Sequence, residues 1–177
     1  MFPFGNVYLI LLLLVPLTIF MLESEISRGT NLDDVAILFI KIKMSFPNEP
    51  TSSIQLLSYL TEGFGNLKID IPIHVICKDE FPTKKLKRGV YIINLDDNDG
   101  GGTHWVCLYM INPSKGIYVD PFGFPPPRSV VSRAGKGVNV IYNDVTIQAL
   151  SSQMCGLFSV VIAFLIGVSL NHTKNTK

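Results

Sequence analysis

Residues 156–170, GLFSVVIAFLIGVSL, carry no charge and are apolar on every face of a helix. Such a helix has no solvent side, so either the rest of the chain encloses it or a bilayer does. At about 15 residues the run is short for a membrane span. It reads as a central buried helix that other elements must wrap. The segments before it supply those elements. Residues 90–95 (VYIINL), 105–111 (WVCLYMI), 117–120 and 138–142 (VNVIY) are strands by composition, and 69–77 is β-branched and strand-like. The five-residue turn NPSKG between two of these runs predicts an antiparallel hairpin. Strands followed by one buried helix predict an α+β domain.

At 177 residues the chain has room for one such domain. With 47% hydrophobic and 16% charged residues it is greasier than soluble domains, where about 25% are charged. That excludes disorder as its main description. A net charge of +1 sets up no global field toward nucleic acid. The basic run Lys84, Lys85, Lys87 and Arg88 reads as a solvated loop ahead of a nucleic-acid site. Cys77, Cys107 and Cys155 form neither a disulfide framework nor a C-x-x-C metal pattern, and they suit a reducing compartment.

A second apolar run, residues 7–22, is long enough to cross a bilayer. It lacks the basic start and the small-residue cleavage site of a signal peptide. Its pattern favours a membrane anchor. The rival readings are a buried extension and a start site upstream of the true domain. The expected organisation is a hydrophobic segment at 1–22, a variable region at 23–66, the main folded domain at 67–170 and a frayed polar tail at 171–177. Within the variable region, 33–44 suits either a short helix or a strand, and 52–60 suits a short helix before Gly63 and Gly65 interrupt. The tail's Asn171-His172-Thr173 fits the glycosylation acceptor pattern, which matters only in a secretory lumen.

The loop DDNDGGGT at 96–103 invites a calcium reading. A twelve-residue calcium loop starting at Asp97 would need Glu at its last position, where Leu108 stands. No Lys-Ser or Lys-Thr closes the glycine run as a phosphate loop requires.

Chemistry points instead to Cys155. It alone of the three cysteines opens a predicted helix, where the positive end of the helix dipole favours a thiolate. Gly156 next to it would let the backbone approach a substrate, with the Cys155 N–H as an oxyanion donor. Cys107, inside an apolar strand, reads as a small hydrophobe. A nucleophilic cysteine needs a base and the base an orienter. His172 lies in the tail and His74 in an apolar run. His104 stands where the glycine loop meets a strand, and Asp120 closes the next strand of the hairpin. Antiparallel register makes those two ends neighbours. Structural roles for such a set remain open on spacing alone.

Gly102-Thr103-His104-Trp105, then Asp120-Pro121-Phe122-Gly123-Phe124, then Gln148 with Ser152 and Cys155-Gly156-Leu157-Phe158 resemble the adenain-type cysteine protease of adenoviruses. The stretch 89–103 with Phe124-Pro125-Pro126-Pro127 is similar to proteases of Polinton/Maverick elements and adintovirus-like viruses, within the wider Ulp1-like clan. The resemblance covers residues 78–166. It implies a papain-like mixed sheet flanked by helices. It assigns Cys155 as nucleophile, His104 as general base and acid, and Asp120 as orienting acid. It also assigns Gln148, seven residues before Cys155, as the side chain completing the oxyanion hole. Gln153 is the weaker candidate for that role, and Trp105 is packing.

The implied activity is a cysteine endopeptidase in viral or mobile-element virion maturation. Its partners would be protein substrates, capsid or core precursors, and a membrane through residues 7–22. No cofactor or metal is implied, and activation by peptide or nucleic acid is not carried over. Two alternatives stand: a deubiquitinating or deSUMOylating Ulp1-like peptidase, against which the seven-residue spacing argues, and a non-catalytic membrane protein with a decayed protease domain.

Overall fold

The structure, a computed structural model, describes residues 50–66, 69–82 and 85–175, with backbone alone for 168–175. The apolar run 7–22 with its anchor reading, and the segment 33–44, lie outside the described residues. Among the described residues no helix is long and apolar enough to cross a membrane.

Helix α1, Ser53–Asn66, starts at a capping box. The Gln55 N–H donates to Ser52 Oγ (3.3 Å), while the Ser52 N–H donates back to Gln55 Oε1 (2.9 Å). These bonds satisfy donors that a helix start otherwise leaves orphaned. Leu56, Leu60 and Phe64, spaced by four, form its buried stripe.

The strands β1 (Ile73–Cys77), β2 (Gly89–Asn94), β3 (Trp105–Asn112), β4 (Lys115–Val119) and β5 (Asn139–Tyr142) make one sheet in chain order. β2–β3 and β3–β4 are antiparallel, and the outer pairs β1–β2 and β4–β5 are parallel. The short helix α2 (Arg128–Ala134) precedes β5, and the long helix α3 (Cys155–Asn175) ends the described chain. The α+β class with its mixed sheet and buried helix is therefore observed.

Successive strand residues point to opposite faces, and both faces here are covered. Val90, Ile92, Cys107 and Tyr109 meet α1 and α3 in one core cluster. Tyr91, Ile93, Val106, Leu108 and Met110 meet Phe81, Leu86 and the α2 residues Val130 and Ala134 in the other. That explains why β2 and β3 read as continuous apolar runs. α3 is buried from Ser159 through Gly167, as its uniform apolarity requires.

Three expectations need correction. α1 runs on through Gly63 and Gly65, and Gly63 serves helix packing. An added Cβ at Gly63 would run into the Phe164 ring, and one at Gly167 would meet Phe64. The Phe64 and Phe164 rings lie 5.0 Å apart between these seats. α1 also shares its core with α3 and the sheet, so the folded unit includes residues the sequence assigned to a variable region. The polar tail is helical in backbone to Asn175, as it simply continues α3.

Candidate active site

His104 directly precedes β3 and Asp120 directly follows β4. The β3–β4 register pairs Cys107 with Val119, so these two ends lie side by side. His104 Nε2 and Asp120 Oδ1 meet at 2.8 Å, with Asp120 only 1% exposed. The same Oδ1 accepts the Phe122 N–H (2.7 Å). The Phe122 ring stacks on the His104 imidazole, with centroids 4.5 Å apart and planes 18° from parallel. One residue thus fixes both groups, its backbone N–H the carboxylate and its ring the plane of the imidazole.

The backbone of Asp120 is held as firmly. Its N–H donates to Asn143 Oδ1 (2.9 Å), while Asn143 Nδ2 donates to Asp120 O (2.8 Å) and Val145 O (3.0 Å). Asn143 is 2% exposed. On the other side of His104, Asn94 Oδ1 accepts the N–H groups of Asp96 (3.0 Å) and Thr103 (3.2 Å). Asp96 Oδ2 accepts the Gly102 N–H (3.2 Å), with Gly102 at φ +77°. The acidic loop thus spends carboxylate capacity on its own backbone and delivers His104 to the strand edge.

With Nε2 committed to Asp120, Nδ1 of His104 is buried and lacks a well-formed hydrogen bond. The Cys155 thiol interacts with that ring, a contact looser than a full hydrogen bond, as is common in resting active sites. Cys155 is the first residue of α3 and is half-buried. The backbone amides of Trp105 and Gly156 also interact with its sulfur. Trp105 sits at a strand position whose N–H is not needed by β2, because the neighbouring ladder bond runs from the Leu95 N–H to His104 O (2.8 Å).

These contacts set the charges. Burial opposes ionisation of the Cys155 thiol, but the imidazole and the two amides outweigh it and hold its pKa below the ordinary value. Burial also opposes protonation of His104. Its hydrogen bond to Asp120, its interaction with the Cys155 sulfur and the negative charge of both overcome this and push its pKa up to about 9. The arrangement favours a thiolate beside an imidazolium. The other thiols differ. Cys107 is fully buried and pushed well up by desolvation. Cys77 is pushed up by burial and by Glu80 and Asp79.

Gln148 is 1% exposed, in the loop between β5 and α3. Its Nε2 donates to Ser152 O (2.7 Å), which leaves the second amide hydrogen uncommitted, and its Oε1 has no partner. No hydrogen bond joins it to His104, Asp120 or Cys155; its links run through Ser152 and through its own N–H to Pro121 O (2.8 Å). Gln153 is exposed. A cleft of about 600 Å³ opens over Cys155, lined by Trp105, Phe122, Leu150, Ser152, Gln153, the 50–53 segment and the glycines of the acidic loop. Cys77 lies on its wall.

Gly156 also has a packing role. An added Cβ would collide with Thr51 Oγ1 and come within 3.1 Å of Leu56 and 3.2 Å of Trp105. The glycine makes room for Thr51 and Trp105, both of which also line the cleft, and for Leu56. Trp105 Nε1 donates to Thr51 O (3.1 Å) and Ser159 Oγ to Trp105 O (3.0 Å), which ties α3 to β3 and to the start of α1. Asn143, Phe122 and Thr51 escaped the sequence reading. For Phe122 a signal existed, an aromatic residue two positions after the acid. Asn143, between Tyr142 and Asp144, looks like any turn former.

No family model matches the chain, and no curated protein matches it. Among solved structures it is similar to the selenomethionine form of the ASFV pS273R protease, at 12% identity and a TM-score of 0.48. The match covers 74% of this chain and 64% of that one, so the chain spans less than two thirds of that protein's length.

Proposed function

We propose that the chain is a cysteine endopeptidase of the adenain type, with Cys155 as nucleophile, His104 as base and acid, and Asp120 as orienting acid. One observation carries the reading. A half-buried imidazole has Nε2 on Asp120 Oδ1 at 2.8 Å, while its other side interacts with a thiol at a helix N-terminus under an open cleft.

The mechanism follows from that geometry. The Cys155 proton rests on His104, and the thiolate attacks the scissile carbonyl carbon. The carbonyl electron pair moves to oxygen, where the Cys155 N–H and the uncommitted Gln148 amide hydrogen stabilise it. Collapse of the intermediate expels the amine as it takes the proton from His104, leaving a thioester. Water then gives a proton to His104, attacks the thioester and returns the thiolate. Asp120 holds the imidazole in the tautomer that leaves Nδ1 to exchange protons with sulfur. Protein substrates follow from the endopeptidase reading, and the sequence resemblance adds virion structural precursors, processed by a viral or mobile-element enzyme.

Profiling with a diverse peptide library tests the reading. Cleavage by the full chain that disappears with Cys155→Ala, in a folded variant, supports it. Cleavage that survives Cys155→Ala overturns it.

A further inference from the structure

The segment after β5 is stitched onto the segment after β4. Pro121 O accepts two N–H groups, from Ile147 and Gln148, each at 2.8 Å. Thr146 Oγ1 donates to Phe122 O (3.1 Å). Gly123, at φ +79°, lies so close to Val145 and Thr146 that a Cβ would meet their backbone at 2.8–2.9 Å. At the knot sits Asn143, which clamps both backbone groups of Asp120 and also holds Val145 O. Asp120 and Gln148 are 28 residues apart in the chain yet belong to one hydrogen-bonded unit.

We infer that Asn143 is a positioning residue for two groups at once: the carboxylate that orients His104 and the amide that faces the oxyanion. This rests on the peptidase reading above. The physical case is satisfaction and burial. The three bonds use the Asn143 oxygen and both Nδ2 hydrogens, so its capacity is nearly spent. Alanine would leave the Asp120 N–H without a partner in a buried site and its carbonyl with the Gly123 N–H alone (2.9 Å), and the backbone would shift to compensate. Aspartate would keep the acceptor for the Asp120 N–H but turn a carboxylate oxygen toward the carbonyls of Asp120 and Val145. The groups facing Asn143 are thus backbone amides and carbonyls, and the charge it governs is that of Asp120 beside His104.

Two probes of Cys155 separate the two roles. Iodoacetamide forms an S–C bond with loss of iodide and passes through no oxyanion. 4-Nitrophenyl acetate acylates the thiolate through a tetrahedral oxyanion and releases nitrophenolate. In the full chain, Asn143→Ala is expected to slow acylation about 100-fold, the scale of an ångström's misplacement, with a smaller loss toward iodoacetamide. It is also expected to move the acid limb of the iodoacetamide profile to higher pH, because His104 loses part of its hold on the proton. Val130→Ala, a truncation in the opposite core cluster, is the control for general loosening and should move neither the ratio nor the limb. If Asn143→Ala does not fold, Asn143→Asp, with the same volume, is read in the same way. A folded variant with the parent's profile and probe ratio overturns the role of Asn143. A parent protein whose Cys155 alkylates like an ordinary thiol overturns the peptidase reading, and with it this inference.

Discussion

Two thiols line the same cleft. Cys77 ends β1 and Cys155 begins α3, and both are half-buried. Their neighbours differ in sign. Glu80 accepts the Cys77 N–H at 2.7 Å, and with Asp79 it places negative charge beside that thiol. Cys155 has an imidazole, two backbone amides and the positive end of a 21-residue helix. Access to solvent does not make a cysteine a nucleophile; the charge that would share its pocket does.

The largest test removes the imidazole. His104→Ala should lower peptide turnover about 10⁶-fold, the scale seen when a triad loses its base. It should also return Cys155 alkylation toward the pH dependence of Cys77. Two cysteines that still differ as before would mean that the helix and amides alone set the contrast. Next in size is Gln148→Ala. It should cost turnover about 100- to 1,000-fold, as loss of one oxyanion donor does, while thiol labelling of Cys155 persists. If Gln153→Ala proves the more damaging, the donor has been misassigned.

A milder test uses pH alone. The Cys155 thiol lies below its ordinary pKa and the Cys77 thiol above, so brief iodoacetamide treatment near neutral pH should mark Cys155 first by mass mapping. Lowering pH by one unit should slow Cys77 about tenfold, since its thiolate is the minor form, and slow Cys155 less. Above about 9 the His104 proton is lost. Turnover should then fall even though the thiolate remains, because no acid is left to expel the amine. The smallest effect is expected from Glu80→Gln, which should speed Cys77 labelling a few-fold and leave Cys155 unchanged; equal changes at both would show that the two pockets share one field.

The sequence carried the parts of this molecule that depend on neighbours in the chain. The hairpin was readable because β3 and β4 are apolar runs flanking a turn, and their register brings His104 to Asp120. The burial of α3 was readable because no face of it is polar. What was hidden depends on distant partners. Gly63 looks like a helix stop until Phe164 is seen resting on it. Thr51 looks like a loop residue until Gly156 makes room for it. Asn143 owes its place to Asp120, 23 residues earlier. The Gln148 position came from resemblance, and periodicity says nothing about the Ser152 carbonyl that occupies one of its two amide hydrogens.

The two glycine seats between α1 and α3 act as a stop on the travel of the long helix. Phe164 lies nine residues along α3 from Cys155, about 13 Å at the rise of an α-helix. A rigid helix transmits an axial slip from one end to the other with little loss. A change at Gly63 is therefore expected to reach Cys155 at the start of the same helix. One methyl group there would push on Phe164, and the displacement would be felt as a detuned nucleophile in a protein that still folds.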